Sequence, residues 1–523
     1  MAGGVLLAAC APAAHTAPGG SGPSTVATST ASNTAPAAVT GPRRGGVIVT
    51  ADFDDPGTFD PAQITNSTGR RISRAIYDPL VELDQANNVI PALAESWETP
   101  DPMTWVFHLR QGVKFHDGTD FDAAAVKFHF DRHLDPKNKS MRAAELTQVG
   151  SAEVVDANTL RLRMKQPNPE LLYVLFDWSG FVVSPAAVQK SGVDYGQHPV
   201  GTGPFSFVEY ANGDHTLLQR NPNYWRPGKP ALDGVRFRPI VADATREVEL
   251  RSGGVHIAHD LPFQDVQRVQ EMSEVVLSRL LGSRYDYWRW NTVGSPYGSS
   301  LPFRQAFNWA LDREAIHSAV FFNTGRIGFS PFHIGTPFYD ETYHPFTRDL
   351  AKAKSLLGQA QVPQPARFTI YTRPDPVAVK IIEVIGSNLA EVDVTVDIQQ
   401  EDGAGYQART DRGDYHLGVY QGFLSWRPDP AQYIRRWFHS STTLWKEIAK
   451  DPEIDRLIEA SELETDLAKR KGIYGQFAVR QNEIASAVFS HHGESFIGLS
   501  PKVRGWVHMP DQQPRFQDLW LEQ

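Results

Sequence analysis

The run from Trp105 to Leu134, WVFHLRQGVKFHDGTDFDAAAVKFHFDRHL, constrains the fold more than any other part of the sequence. Apolar and polar residues alternate in WVFHLR, which predicts a half-buried strand, and VKFH predicts a second short strand. A glycine-containing turn follows each of them. Asp122 can then cap a helix in which Val126, Phe130 and Leu134 recur at every fourth position. The run therefore predicts strand, turn, strand, turn and helix, without any catalytic or metal-binding spacing.

The same mixture of short strands and amphipathic helices continues along the chain. Residues 302–321 predict one long helix, and residues 349–358 predict a helix that ends at Gly358. The segment 367–400 has the order strand, helix and strand, which is typical of a parallel α/β sheet. Residues 452–487 predict a helical pair. A chain of 523 residues is long enough for two or three domains, each with a core of its own.

The beginning of the sequence predicts a lipid anchor. Leu7-Ala8-Ala9-Cys10 fits the bacterial lipobox, in which a leucine and two small residues precede a cysteine that receives lipid. We expect residues 1–10 to be part of a lipoprotein signal segment, because a complete one has a positively charged beginning that these residues lack. Residues 11–44 are rich in Ala, Pro, Ser and Thr and predict a flexible tether. The remaining body is expected to be extracytoplasmic and soluble, since it has no apolar run of about 18 residues.

Charge and motif content argue against several other classes of protein. The formal net charge of −9 argues against a general nucleic-acid binder. The sequence has no GxSxG, HExxH, paired CxxC or phosphate-binding loop, so we expect neither an enzyme nor a cofactor. Histidines occur in pairs at 491–492 and at 256 and 259 without a pattern of acidic neighbours, and we expect no metal site there.

Several motifs occur in a fixed order over residues 45–510. They are PALAESWE followed by FHLRQGVKFHDGTDF, then GTGPF, RNPNYWRPGKPALDGVRFR, RQAFNWALDREAI and DPEIDRLI. In these motifs the sequence resembles the family 5 solute-binding proteins of ABC importers, which include dipeptide, oligopeptide, nickel and opine binders. The run that begins at Trp105 then corresponds to the extra N-terminal subdomain of that family.

The resemblance implies an α/β, two-lobed periplasmic-binding-protein fold, type II-like and of cluster C, whose lobes are joined by hinge strands. Lobe I is expected over residues 45–288, with the extra subdomain at about 78–200, and the chain returns to lobe I over 488–523. Lobe II is expected over residues 289–487. A ligand is expected between the lobes, enclosed by a hinge motion.

The resemblance also implies two sets of ligand contacts. Thr65, Asn66 and Ser67 correspond to a loop that lines the cleft in dipeptide binders, although these side chains could instead cap the following helix. Arg373 corresponds to an arginine that takes the ligand carboxylate in those proteins, because a guanidinium matches a carboxylate with two parallel hydrogen bonds. The alternative for Arg373 is an ordinary surface arginine.

A third set of contacts departs from the peptide binders of the family. They carry an aspartate that pairs with the peptide α-ammonium, and an alignment on Asp429-Pro430 places Trp426 at that position. This alignment argues against peptides with free N-termini, because a buried ammonium needs a counter-charge. An indole favours an apolar, aromatic or sugar-like ligand face, and Tyr420 and Phe423 are expected to complete it. An alignment shifted by three residues puts Asp429 in the aspartate role instead.

These features together predict a substrate-binding lipoprotein that delivers a peptide or peptide-like solute to an ABC permease and its ATPase subunits. We expect a monomer, in the periplasmic space or on the outer face of the cytoplasmic membrane. An opine, an aromatic conjugate or a nickel chelate is the alternative ligand. An extracellular hydrolase would need a nucleophile and a base that the sequence does not offer, and a ligand-sensing receptor would need a signalling partner.

Overall fold

The computed structural model describes residues 41–424, 427–442 and 449–522, with the side chains of all of these except 282, 283, 419–424 and 432. Cys10, Trp426 and the predicted signal segment lie outside the described residues, as does the predicted tether up to residue 40. Residues 42–523 form one compact unit. None of the helices in the described ranges combines the length and the hydrophobicity that a membrane span requires.

Strands and helices alternate through most of this unit. The strands are β1 (Val47–Asp52), β2 (Val81–Leu83), β3 (Val89–Pro91), β4 (Ala94–Asp101), β5 (Thr104–Leu109), β6 (Val149–Asp156), β7 (Thr159–Met164), β8 (Phe205–Ala211), β9 (His215–Arg220), β10 (Gly234–Pro239), β11 (Ile257–Ala258), β12 (Val276–Trp290), β13 (Arg326–Ile327), β14 (Arg367–Thr372), β15 (Thr395–Gln400), β16 (Leu417–Leu424), β17 (Ala487–Leu499), β18 (Val503–Arg504) and β19 (Trp520–Leu521). The α-helices are α1 (Ser67–Ile76), α2 (Ala123–Leu134), α3 (Leu171–Leu175), α4 (Pro185–Ser191), α5 (Asp243–Ser252), α6 (Val266–Gln270), α7 (Pro296–Ser299), α8 (Leu301–Ala310), α9 (Arg313–Ala319), α10 (Leu350–Gln359), α11 (Pro376–Ala390), α12 (Gly403–Asp411), α13 (Ala431–Phe438), α14 (Pro452–Leu463) and α15 (Leu467–Ile484).

One large sheet contains strands from both predicted lobes. Its order is β16-β12-β17-β11-β1-β10-β9-β8, and β13 also pairs with β17. β12 and β17 are the longest strands of this sheet and pair antiparallel from Val276↔Leu499 to Arg289↔Ala487. One end of this pair adjoins β11 and the other end adjoins β16. β12 and β17 therefore connect the two halves of the molecule, and the predicted lobe boundaries near residues 288 and 487 fall on them.

The opening run of the sequence lies in a small sheet of its own, with the order β4-β5-β7-β6. The predicted strand at WVFHLR is confirmed as β5, and the capped helix is confirmed as α2, where the Asp122 side chain accepts from the Ala125 N–H at 2.9 Å. The strand predicted at VKFH is wrong. Phe115 N–H bonds back to the Thr119 carbonyl at 2.9 Å, because the turn between them reverses the chain before a ladder can extend.

The segment predicted as lobe II, residues 289–487, contains the predicted strand, helix and strand as β14, α11 and β15. The two strands pair in parallel from Arg367↔Thr395 to Thr372↔Gln400, which confirms the parallel arrangement. The single long helix predicted over 302–321 is wrong, since it is divided into α8 and α9. Asp312 separates the two helices and caps α9 by accepting from the Ala315 N–H at 2.8 Å. The predicted end at Gly358 is also wrong, because α10 continues to Gln359.

Two of the ordered sequence motifs meet at one buried carboxylate, Asp78. It accepts hydrogen bonds from Thr202 Oγ1 at 3.0 Å, Tyr224 OH at 2.9 Å and Trp225 Nε1 at 2.7 Å. Thr202 belongs to GTGPF, and the two aromatic residues belong to RNPNYWRPGKP. These motifs therefore stabilise the junction after α1, and the residues that bond to Asp78 have a structural role.

Candidate functional site

A cleft of about 520 Å³ is lined by segments from both predicted lobes. Its wall combines lobe I segments, the start of α11 in lobe II, and the connecting strands β12 and β17. The lining comprises residues 260–264, 374–377, 494–497 and 512–513, together with Ser67, Arg71, Asp243 and Arg284. Small-molecule sites in proteins occupy roughly 300–1,000 Å³, so the cleft has the size of a ligand site.

A second cavity of about 580 Å³ lies within lobe II, bounded by residues 330–343, α14 and α15. It is slightly larger than the cleft, but all of its lining comes from one lobe. Of these two cavities, only the cleft contacts both lobes and both connecting strands. We therefore take the cleft as the candidate functional site.

Part of the cleft wall is apolar. Phe263 packs its ring against Phe321 and Phe322, with centroid distances of 5.6 and 6.4 Å. Phe496 is buried, and the Arg279 guanidinium lies 5.5 Å from the centre of its ring. These rings hold the wall rigidly and give a solute an apolar surface beside the charged groups.

Three carboxylates on the cleft wall already have strong partners. Asp243 accepts from the buried Arg246 guanidinium, and Glu494 accepts from Arg279 at 2.7 Å. Asp375 caps α11 by accepting two backbone N–H groups at 2.8 and 3.1 Å. Asp243 and Glu494 are each paired with an arginine, and Asp375 holds the first N–H groups of α11 with one oxygen.

Asp260 is held differently from those three carboxylates. Among the described residues its ionic contact is with Arg71, at 3.5 Å, and 46% of its side chain is exposed. Arg71 has a closer partner in the buried Asp52, whose pKa is raised by burial to about 6 against the opposing effect of Arg71. Arg71 is therefore neutralised chiefly by Asp52, and the Asp260 carboxylate remains open to the cleft.

Arg284 is the second cleft residue whose charged group remains available to a ligand. It is exposed, and its guanidinium makes no hydrogen bond or ion pair with any side chain or backbone group that the structure describes. It stands where the register between β12 and β17 shifts, after the pair Leu281↔Glu494. Such an irregularity redirects the side chain that follows it. A guanidinium in this position can bind a carboxylate bidentately.

Gln513 provides a neutral acceptor on the lobe I side of the cleft. Its side chain is 2% exposed, and Nε2 donates to the Asp511 carbonyl at 3.4 Å. Its Oε1 is buried without a hydrogen-bond partner among the described residues. A buried carbonyl left unpaired costs about 1–3 kcal/mol, so a donor from a ligand or a water would stabilise it.

Comparison with known proteins identifies the family. Residues 88–445, more than half of the chain, match the bacterial extracellular solute-binding proteins, family 5 Middle. The chain belongs to this family. The predicted two-lobed α/β binding-protein fold is confirmed by the solved structures of similar proteins.

Three family 5 relatives illustrate the similarity. The glutathione-binding protein GsiB of Pectobacterium atrosepticum is 27% identical over 486 residues, which covers 88% of this chain and 91% of GsiB. The periplasmic binding protein DppA from Helicobacter pylori, in complex with the peptide STSA, superposes with a TM-score of 0.77 at 25% identity and covers 92% of this chain and 99% of DppA. AgaA from A. tumefaciens R10, in complex with agropinic acid, gives a TM-score of 0.76 at 27% identity, with coverages of 91% and 99%.

The structure of this family 5 protein separates the three residues predicted in the first loop. Thr65 is exposed and is not part of the cleft wall, whereas Ser67 lies on it. Asn66 caps α1, since its Oδ1 accepts from the Gly69 N–H at 2.7 Å and its Nδ2 donates to the Asp55 carbonyl at 2.8 Å. The capping alternative therefore describes Asn66.

Arg373 adjoins the cleft but is not among its lining residues. It is exposed, and its guanidinium lies 5.5 Å from the centre of the Tyr406 ring. The following residue, Pro374, begins the lobe II part of the cleft wall. Arg373 therefore stands next to the cleft wall and is not part of it.

Asp429 lies away from the cleft in a buried ion pair. Arg470 donates to its two oxygens at 2.5 and 2.9 Å, and Tyr474 OH lies 3.4 Å from Oδ1. The backbone of β16 pairs Tyr420 with Tyr287 and Phe423 with Tyr285. The side chains of Tyr420 and Phe423 and the whole of Trp426 lie outside what the structure describes, so their role stays a prediction.

Sequence reasoning missed Asp260, Arg284 and Gln513. Asp260 follows β11, which runs parallel to β1, and side chains just beyond the carboxyl ends of parallel strands commonly meet ligands. Arg284 follows Gly282-Ser283, a pair that interrupts an otherwise regular strand pattern and signals a bulge. No local pattern marks Gln513, because its burial depends on how the end of the chain packs.

Proposed function

We propose that this protein captures a peptide or peptide-like solute in the cleft and delivers it to an ABC permease that works with ATPase subunits. The observation that carries this proposal is a single volume of about 520 Å³ surrounded by both lobes and both connecting strands. The similarity to the glutathione-binding protein GsiB, and to DppA in complex with the peptide STSA, supports a peptide-like ligand.

Arg284 is the proposed contact for a ligand carboxylate. It lies on a connecting strand, so a solute bound to it meets both lobes when they close. Ser67 is a further proposed contact, and Arg373 is proposed at the mouth of the cleft. Trp426, Tyr420 and Phe423 remain proposed as an aromatic contact. Solvent exclusion on closure strengthens each of these polar interactions.

An opine is the second candidate ligand, because AgaA is described in complex with agropinic acid. Opines also carry carboxylates, so they would use Arg284 in the same way. We further propose that Cys10 carries lipid, that residues 11–44 tether the body, and that the protein acts as an extracytoplasmic monomer. The Leu7-Ala8-Ala9-Cys10 pattern supports the anchor.

The proposal is tested by replacing Arg284 with glutamine in the full chain. Thermal shift and calorimetry would compare di- and tripeptides, including glutathione, with peptides whose C-termini are amidated, and with opines. A solute at a hundred times its dissociation constant should stabilise the wild type by about 2.7 kcal/mol. Arg284→Gln should weaken the binding of free-carboxylate peptides by about tenfold or more, because a charge-assisted bidentate pair is lost.

Arg251→Gln is the matched control, since Arg251 is an exposed arginine on α5 outside the cleft wall. It should bind every solute as the wild type does. If no peptide or opine stabilises the wild type, the proposed ligand class is wrong. If peptides bind the wild type and Arg284→Gln equally well, the ligand class stands and the assignment of Arg284 is wrong.

A further inference from the structure

The charges on the cleft wall do not balance one another within the protein. Arg71, Asp243 and Glu494 are satisfied by closer partners, as described above, and Asp375 is used to cap a helix. Arg284 has no ionic partner among the described residues, and the half-exposed Asp260 carboxylate shares its partner Arg71 with the closer Asp52. Asp375 keeps one oxygen free of partners within the described ranges, but it lies at the start of α11 on the opposite wall. An enclosed site with one available cation and one available anion is complementary to a ligand that carries both charges.

The backbone at Asp260 also presents its carboxylate in a restricted way. Its φ of 56° lies in the left-handed region, which Asp and Asn tolerate better than other residues with a side chain. The residue lies two positions after the end of β11, and its backbone carbonyl accepts from the buried Arg246 at 3.1 Å. The main chain is therefore fixed while the carboxylate reaches the cleft.

A neutral acceptor lies on the same side of the cleft. The Oε1 of Gln513 is buried and has no partner among the described residues, and Gln513 and Asp260 both belong to lobe I. A protonated amine has three N–H donors, so it can pair with a carboxylate and still donate to a neutral carbonyl. The two acceptors together match an ammonium better than they match a second anion.

We propose that Asp260 binds the protonated amine of the solute and that Gln513 accepts a further N–H from it. Resting on the proposed function of the cleft, this assignment narrows the ligand to a zwitterion, with its carboxylate at Arg284 and its free amine at lobe I. The ammonium partner thus comes from lobe I and not from the lobe II segment that contains Trp426 and Asp429. Solutes with blocked amines are predicted to bind poorly.

Asp260→Asn is the decisive variant. Asparagine has the same shape and tolerates positive φ, so the fold should be kept while the charge is removed. Asp131→Asn is the control with the same change in net charge, because Asp131 forms an exposed pair with Lys127 on α2. Calorimetry on the full chain would compare glutathione and free dipeptides with their N-acetylated forms.

The wild type and Asp131→Asn should bind the free-amine solutes about tenfold or more tightly than the acetylated ones. Asp260→Asn should lose most of that preference, while its affinity for the acetylated solutes stays within about twofold of the wild type. Comparing the affinities of both solutes for both proteins separates the effect of losing the charge pair from the steric effect of the acetyl group. The wild-type preference is a second test that does not depend on the variant folding.

Three outcomes would overturn the assignment of Asp260, and they differ in whether the proposed function of the cleft fails as well. A wild type that binds free and acetylated peptides equally needs no amine partner. If the wild type and Asp260→Asn prefer free amines to the same extent, the cleft is still the binding site, but another residue pairs with the ammonium. A wild type that binds none of these solutes contradicts the proposed function itself, and the assignment with it.

Discussion

At the scale of single residues, Asp78 shows how two sequence motifs can serve the fold rather than ligand binding. Burial raises the pKa of Asp78, against the opposing effects of Arg226 and of hydrogen bonds from two aromatic side chains. The ordered motifs GTGPF and RNPNYWRPGKP meet at this carboxylate. Its role is therefore to satisfy buried donors at the junction after α1.

Replacing Asp78 with alanine should destabilise the protein strongly. Three donors would lose their acceptor, and a buried donor left unpaired costs about 1–3 kcal/mol, so we expect a loss of more than about 3 kcal/mol. Urea denaturation of the full chain would measure the free energy of unfolding. Asp194→Ala, at an exposed position, should change it by no more than about 0.5 kcal/mol. Equal stability of the two variants would show that the Asp78 contacts contribute nothing net.

The candidate site residues divide according to what local sequence can reveal. Asn66 was correctly placed in a polar loop before a helix, because capping depends on neighbouring residues, and the structure shows it capping α1. Asp260 and Gln513 could not be found in this way, since residues 253 positions apart in the chain meet only after folding. Asp429 could be placed on a loop, but its partner Arg470 lies on a separate helix.

At the scale of elements, periodicity predicted the buried strands and the long-range order well. β5 and β14 follow the alternation of their sequences, and α11 connects the parallel pair β14 and β15 as its order indicated. The failures occurred where a single residue ends an element. Asp312 divides a continuous apolar pattern into α8 and α9, because its side chain satisfies the first N–H groups of a new helix.

β12 and β17 could be predicted as strands only in part. The sequence of β12, VLSRLLGSRYDYWRW, contains charged residues among apolar ones, and nothing local shows that it pairs with a segment about 200 residues later. The register shift near Arg284 follows from that pairing. The register shift that exposes Arg284 to the cleft therefore depends on tertiary pairing. The Gly282-Ser283 pair is the only local sign of it that we find in the sequence.

At the scale of the whole molecule, an ion pair joins the segment predicted as lobe II to the segment predicted as the lobe I subdomain. Arg427, which follows β16 in lobe II, donates to Glu145 of the lobe I subdomain, and Glu145 also pairs with Arg142 at 3.1 Å. Burial raises the pKa of Glu145, but Arg427 and Arg142 together outweigh it and lower that pKa. Glu145 is therefore charged at neutral pH and can hold the lobes together.

Replacing Arg427 with glutamine should shift the protein toward an open arrangement. Glu145 would keep Arg142 as a partner, so lobe I should remain folded while the contact between lobes weakens. Small-angle scattering of the ligand-free protein should give a larger radius of gyration, and solute affinity should fall about threefold to tenfold as the closed population drops. Arg456→Gln, which removes a pair within the exposed face of α14, should change neither quantity. An unchanged radius and affinity in Arg427→Gln would show that this ion pair does not influence closure.

Hydrogen exchange of the full chain, with and without a binding solute such as glutathione, tests directly whether the solute binds in the cleft. A solute enclosed between the lobes should slow exchange together in four segments that are distant in sequence, 260–264, 374–377, 494–497 and 512–513. We expect protection in all four segments, which come from both lobes and the connecting strand β17. Protection confined to residues 330–343 and 453–483, around the second cavity, would contradict it and move the binding site into lobe II.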